Sequence, residues 1–266
     1  MILFDSSWFS KPGPALKAEL YDGEKYDANL ATPGWSSPQL HKDGLSVDSS
    51  WMPVTVLSPL PESVTLTAGW MEPVRPIETI DPVQLITTPS NKKVVDFGQN
   101  LVGYVRLKRD IGQKGDKVTL RHPEVLEDGE LRLRPLRICE ATDEYVCDGG
   151  AAASWEPSFT YHGFRYCQVD GWSMEIDLLD SIQAVVCHND MELAGEFACS
   201  DARLNNLYRN ATWSMRGNFF SIPTDCPQRD ERLGWTRDIA QFAHTAVKLC
   251  DCFGFLKDWL VDPVHG

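Results

Sequence analysis

The stretch Pro223-Thr224-Asp225-Cys226-Pro227-Gln228-Arg229-Asp230-Glu231-Arg232-Leu233-Gly234-Trp235-Thr236-Arg237-Asp238 packs four acids, three arginines and a tryptophan into sixteen residues. Two prolines and a glycine punctuate it, so the spacing predicts a loop over most of its length. A solvated loop needs no such mixture. Carboxylates, guanidinium groups and an indole together suit a polar ring with apolar faces, such as a sugar. Paired carboxylates around one bond are also what glycoside hydrolysis requires. The blander alternative is an N-capped helix entry with ordinary surface ion pairs.

Outward from this loop the pattern is helical on both sides. Upstream, Leu204, Leu207, Tyr208, Ala211 and Met215 recur at helical spacing behind Ser200 or Asp201 as cap. Downstream, Ile239, Phe242, Ala243, Ala246 and Val247 form a second face. Thr236 is expected as its N-cap, with Asp238 in the first turn. A third helix is expected from about Cys252, carrying Phe253, Leu256, Trp259 and Leu260.

Before residue 200 the rhythm is that of short strands. Leu16–Tyr21 alternates apolar and polar residues ahead of an Asp22-Gly23 turn, and Val54–Leu57 is a further candidate. Val94–Phe97, Gly103–Leu107, Lys117–Arg121, Glu144–Val146, Phe164–Val169 and Ala184–Val186 follow. Turns are expected at Gly98, Gly112, Asp128-Gly129 and Gly149-Gly150. Many short strands with such turns predict β-sandwich architecture. Trp8, Trp35 and Trp51 are expected to plug the ends of a sandwich rather than bind sugar. His122, Glu124, His162 and His188 fall on separate strands without ligand spacing, so no metal and no cofactor are expected.

Lys and Arg total 25 against 38 for Asp and Glu, a net charge of −13. This balance argues against nucleic acid or an anionic membrane as partner and fits a neutral substrate. No apolar run reaches the ~18 residues of a membrane span. Met1-Ile2-Leu3-Phe4-Asp5 lacks a basic region ahead of a long apolar core, so no signal peptide is expected. The eight cysteines match no disulfide or zinc spacing and are expected as buried free thiols, which favours a cytoplasmic, reducing setting.

The central stretch resembles the signature of bacterial α-L-rhamnosidases of the inverting class, D-C-P-Q-R-D-E-R-L-G-W-T-G-D. Arg237 replaces the usual glycine. Further motifs resemble the same family in the same order. They are Leu20-Tyr21-Asp22-Gly23-Glu24, Val95-Asp96-Phe97-Gly98-Gln99-Asn100-Leu101-Val102-Gly103, Arg121-His122-Pro123-Glu124-Val125-Leu126, Ala141-Thr142-Asp143 and Phe159–Tyr166. The resemblance implies a multidomain β + α chain. An N-terminal β-sandwich domain over 1–75 is followed by a second, concanavalin-like (jelly-roll-like) sandwich over 76–195. The first helices of an (α/α)6 barrel follow over 196–266, as a truncated domain.

The implied activity is hydrolysis of terminal α-L-rhamnose from glycosides by an inverting acid/base mechanism. Carried over residue by residue, the general acid is Glu231, and the sugar-contacting positions are Asp225, Arg229, Trp235 and Asp238. Asp230 ranks lower, because adjacent residues need not face the same way. Glu231 must donate a proton, so burial or a neighbouring anion is expected around it. The family's general base is a glutamate from a later barrel segment, matched by no residue here, so the chain alone is expected to be inactive. Apolar helix faces, including Ile239, Phe242, Val247, Phe253, Leu256, Trp259 and Leu260, are expected to lie exposed and to favour self-association. Arg237 either pairs with a site carboxylate or is simply exposed, the exposed reading being favoured. Two alternatives remain open: a non-catalytic carbohydrate-binding β-sandwich protein, and a related (α/α)6-barrel hydrolase acting on another sugar.

Overall fold

The computed structural model describes residues 5–36, 50–59, 61, 63–64, 66–150 and 154–265, with side chains to 261. The signal-peptide expectation, which rests on Met1–Phe4, lies outside the described residues. The chain runs β1 (Phe9–Ser10), β2 (Ala15–Glu19), β3 (Gly23–Asp27), β4 (Met52–Pro53), β5 (Val74–Ile80), β6 (Gln84–Thr87), β7 (Lys93–Leu107) and β8 (Lys117–Arg121). It continues through β9 (Leu126–Glu127), β10 (Glu130–Leu131), β11 (Thr142–Val146), β12 (His162–Asp170), helix α1 (Leu178–Ser181) and β13 (Ile182–Asn189). Helix α2 (Ala202–Asn218), strands β14 (Phe219–Phe220) and β15 (Ile222–Pro223), and helices α3 (Thr236–Leu249) and α4 (Phe253–His265) complete it.

One curled sheet dominates, in the order β2-β3-β11-β8-β12-β7-β13-β5, with β6 also on β7. Strand β7 is its spine, pairing with β12, β13 and β6. The two stretches expected as separate strands, 94–97 and 103–107, are one strand, and Gly98 lies inside it rather than in a turn between strands. Its φ of +74° supplies a bend that a glycine adopts without strain. Gly103 (φ +149°) lets β13 approach, since a Cβ there would sit 1.8 Å from the carbonyl oxygen of Val185. The curl closes a core of Val95, Phe97, Val105, Leu120, Tyr145, Phe164 and Ile182 among others, all from alternating inward positions. The result is a mostly β, sandwich-like body followed by a few helices.

Residues 15–27 share this sheet with residues 74–189, across the boundary expected near residue 75. The link is the parallel pairing of β3 with β11, Tyr26 opposite Tyr145. Some expectations need correction. Residues 54–57 form no strand, and pairing there is limited to Met52–Pro53 against Phe9–Ser10. Trp8 and Trp35 are exposed and Trp51 is half-buried, so these tryptophans do not plug a core. Short two-residue pairings bury too little surface to cover an indole.

Helix α2 begins at Asp201, whose carboxylate accepts from the Arg203 backbone N–H at 2.8 Å. A second core forms where Met215, Phe219, Ile239, Ala246, Phe255 and Trp259 meet, with the Phe219 and Phe255 rings stacked at 4.5 Å. Thr236 is the first residue of α3, and Trp235 holds the capping position without a side-chain cap bond. The expected apolar exposure is partial. Ile239 and Trp259 are buried and Phe242 and Leu256 half-buried, because the helices pack on each other. Val247, Phe253 and Leu260 stay exposed along a groove of about 900 Å³. All eight cysteines are free, and all but Cys199 are buried.

Candidate active site

The loop between β15 and α3 is closed by its own backbone. Asp225 N–H donates to the Leu233 carbonyl at 3.1 Å, and Leu233 N–H donates back to Asp225 Oδ1 at 2.9 Å. Asp225 thereby spends one oxygen on shaping the loop, and its side chain is almost buried. At the loop's inner edge Arg232 takes a left-handed φ of +54° and turns its side chain into the protein. Its Nη1 donates to the carbonyls of Leu20 (2.9 Å) and Tyr161 (2.8 Å), and the guanidinium stacks 4.5 Å from the Tyr161 ring and 5.5 Å from Tyr21. Its Nε and Nη2 find no acceptor, and the two aromatic faces take their place. The Tyr21 hydroxyl donates to the Glu231 carbonyl at 2.8 Å. The helical part is thus pinned to the sheet from which Tyr21 and Tyr161 project.

On the outer edge four of the expected residues converge. Glu231 Oε2 accepts from Arg229 Nε at 3.1 Å and Oε1 from the Trp235 indole N–H at 3.2 Å. Arg229 Nη2 stands 3.8 Å from Asp225 Oδ2. Asp225 and Glu231 bring carboxylate oxygens within 4.8 Å of each other, with the Arg229 guanidinium against both. Asp238, exposed in the first turn of α3, makes no direct contact with this group. It shares with Asp225 a cavity of about 140 Å³, also lined by Asn218, Thr224 and Phe242. The Trp235 ring edge holds Glu231 while about half the residue remains exposed. Arg237 is exposed and forms no ion pair among the described residues.

One contributor was not singled out from the sequence. Arg137 follows a short 3-10 turn at Arg134–Leu136 and has a left-handed φ of +60°. Its Nη1 donates to Glu231 Oε2 at 3.0 Å, and its Nε lies 3.7 Å from Asp230 Oδ1. Asp230 also accepts from the Ile138 backbone N–H at 3.3 Å. The two adjacent acids therefore do meet one guanidinium, supplied from 94 residues away. Glu231 is held by three donors, which fixes its rotamer.

Among the described residues two clusters carry metal-ligating side chains. Asp225, Cys226 and Glu231 form one, but Arg229 already supplies a cation between the acids, and burial raises the Cys226 thiol above its ordinary range. His122, Asp143 and His162 form the other, fully buried. Their imidazole rings stack 4.2 Å apart and only 14° from parallel, so their in-plane lone pairs do not converge on one ion. His162 Nε2 donates to Asp143 at 3.1 Å, and His122 Nδ1 donates to the Ala141 carbonyl at 3.0 Å. Burial, then the neighbouring His162, push His122 down to about 3. Burial alone would raise Asp143, but the hydrogen-bonded His162 brings it below its usual range. His188 lies elsewhere, accepting from Arg216 Nε at 2.9 Å.

Three family models match the chain in succession. They are the alpha-L-rhamnosidase N-terminal domain over residues 1–78, the bacterial alpha-L-rhamnosidase concanavalin-like domain over 86–188, and the bacterial alpha-L-rhamnosidase six-hairpin glycosidase domain over 192–265. An alpha-L-rhamnosidase of Streptomyces avermitilis is 41% identical over 258 residues, covering 96% of this chain and 24% of that protein. The crystal structure of native α-L-rhamnosidase from Aspergillus terreus superposes with a TM-score of 0.90 at 48% identity, over 98% of this chain and 29% of that one. The Streptomyces avermitilis α-L-rhamnosidase complexed with L-rhamnose superposes with a TM-score of 0.86 at 41% identity, over 94% of this chain and 24% of that one. The chain thus spans roughly a quarter of the length of the relatives it matches.

Proposed function

The chain belongs to the bacterial α-L-rhamnosidase family, and from that membership we propose that it carries the acid half of a site that hydrolyses terminal α-L-rhamnose from glycosides with inversion. The observation that carries the proposal is the convergence of Asp225, Arg229, Glu231 and Trp235 on one edge of the motif loop. In this reading Glu231 protonates the leaving oxygen. Trp235 offers its exposed face to the sugar's C–H surface, and Arg229 and the acids Asp225 and Asp238 meet its hydroxyls. Asp230 orients Arg137 and touches no sugar.

Asp225 is not proposed as the partner base of an inverting pair. Its oxygens come within 4.8 Å of Glu231, whereas inversion needs carboxyl groups roughly 6.5–9.5 Å apart to admit a water. The base is therefore assigned, by the family pattern, to a glutamate matched by no residue of this chain, and the 266 residues alone are proposed to bind rather than turn over. The net charge of −13 supports a neutral glycoside over nucleic acid or an anionic membrane surface. Self-association, if it occurs, runs through the groove at Val247, Phe253 and Leu260 and is read by sedimentation.

The test is Glu231→Gln in a polypeptide carrying this chain followed by a full six-hairpin domain. The amide keeps the shape and loses the proton, so kcat should fall by about 10²–10⁴-fold on a glycoside with a poor leaving group. An aryl rhamnoside with a good leaving group needs less protonation and should lose less. Equal losses on both substrates refute the acid role.

A further inference from the structure

A separate cleft opens where the bend of β7 meets α2. It has a volume of about 290 Å³. Asn100 lines it from β7, Glu124 from the loop after β8, Asn210, Trp213 and Ser214 from the helix, and Pro227 from the motif loop. Its shape follows from close packing. Gly217 lets α2 settle on β7, since a Cβ there would stand 3.0 Å from Val102 Cγ2. The motif loop leans on the sheet in the same way, because a Cβ at Gly163 would stand 3.0 Å from Pro227 Cγ.

The polar groups of this cleft keep unused hydrogen-bonding capacity. Asn100 Nδ2 donates to Glu124 Oε1 at 2.9 Å. Glu124 Oε2 and the side-chain amide of Asn210 have no hydrogen-bond partner among the described residues. A carboxylate oxygen accepts, an amide both accepts and donates, and the two together match the vicinal hydroxyls of a sugar. The Trp213 indole is half-buried against the β core, with the Arg216 guanidinium 4.3 Å over its ring, and contributes to the cleft the part of the ring that this packing leaves uncovered. No lysine or arginine lines the cleft, which disfavours an anionic ligand. Its volume lies at the small end of ligand pockets and suits a single ring. Burial raises the Glu124 carboxyl, opposed by Asn100 and by the charge of Arg229, so the cleft and the Glu231 clamp share one electrostatic neighbourhood. Ser214 and Asn218 also line both this cleft and the Asp225–Asp238 cavity.

We propose that this cleft is a second subsite, holding the neutral sugar unit that follows rhamnose in the substrate, with Glu124 and Asn210 meeting its hydroxyls and Trp213 its ring. The proposal rests on the rhamnosidase reading and deepens it. The β-sandwich then contributes to the choice of glycoside as well as to stability.

The test uses the 266-residue chain labelled with 5-fluorotryptophan, with fluorine NMR resonances assigned through Trp213→Phe and Trp235→Phe. L-Rhamnose should shift the Trp235 resonance alone. An α-L-rhamnosyl-glucose disaccharide should shift both Trp235 and Trp213 and bind roughly three- to tenfold more tightly, the worth of one or two added hydrogen bonds. Asn210→Ala, on an exposed helix face, should remove the tighter binding and the Trp213 shift while leaving rhamnose binding unchanged. A disaccharide that shifts Trp235 alone, or binds no tighter than rhamnose, overturns the subsite and leaves the rhamnosidase reading standing. A Trp213 shift as large with rhamnose itself also overturns it. Absence of any Trp235 response to either sugar overturns the underlying reading, and the subsite with it.

Discussion

Lowering the pH from 8 to 4.5 should destabilise the β body by about 3 kcal/mol through His122 alone. The ring is fully buried, stacked on His162 at 4.2 Å and set edge-on to Phe164 at 4.9 Å. In the folded chain it titrates at about 3, against an ordinary value of 6.5. A depressed value means the unfolded chain takes up a proton that the folded chain refuses. The stabilisation is therefore complete above pH 6.5 and is lost as pH falls toward 3. At pH 4.5 the unfolded chain is protonated about a hundredfold over neutral and the folded chain hardly at all, and that factor of a hundred is the quoted energy. Direct contributions from other groups are separated by mutation. His122→Phe keeps a flat ring in the stack and removes the titration. The Ala141 carbonyl it abandons still accepts from the residue-122 backbone N–H at 3.0 Å. Urea denaturation of both proteins at pH 8, 6 and 4.5 reads the difference. The wild type should lose about 2–3 kcal/mol more than His122→Phe between pH 8 and 4.5. Parallel losses would show that His122 accepts its proton within the fold and that the argument from burial fails.

Arg137→Ala should leave the half-exposed site folded but release Glu231 and Asp230. In the polypeptide with a full six-hairpin domain, kcat should fall about 10–100-fold, the scale of a misplaced catalytic group, and an unchanged kcat would remove Arg137 from the site. Arg237→Gly should change stability by less than about 1 kcal/mol and leave the pH profile of activity in place, because the side chain is exposed and unpaired. A displaced acidic limb would show that Arg237 meets a site carboxylate during turnover. The first sugar released should carry the inverted, β, configuration by NMR, and retention would exclude the mechanism.

Much of this protein was legible from the chain itself. The motif could be read because its acids, arginines and tryptophan are neighbours in sequence, so a closed loop of any shape brings several of them together. Strands β8, β12 and β13 and helices α2, α3 and α4 could be read because their periodicities are local properties of the backbone. Long-range choices were not legible. Arg137 gave no signal, since its value lies in a left-handed turn that aims it at an acid 94 residues away. Tyr21, Tyr161 and Arg232 pin the loop through carbonyls and ring faces that have no sequence pattern of their own. His122, just past β8, Asp143 on β11 and His162 on β12 are brought together by the β11-β8-β12 order. The fusion of residues 15–27 to the main sheet depends on one parallel pairing with β11. Amino-acid order alone determined which chemistry was present and which local elements carried it. Tertiary packing decided which groups face one another, because strand pairing and core burial draw their energy from contacts between residues far apart in the chain.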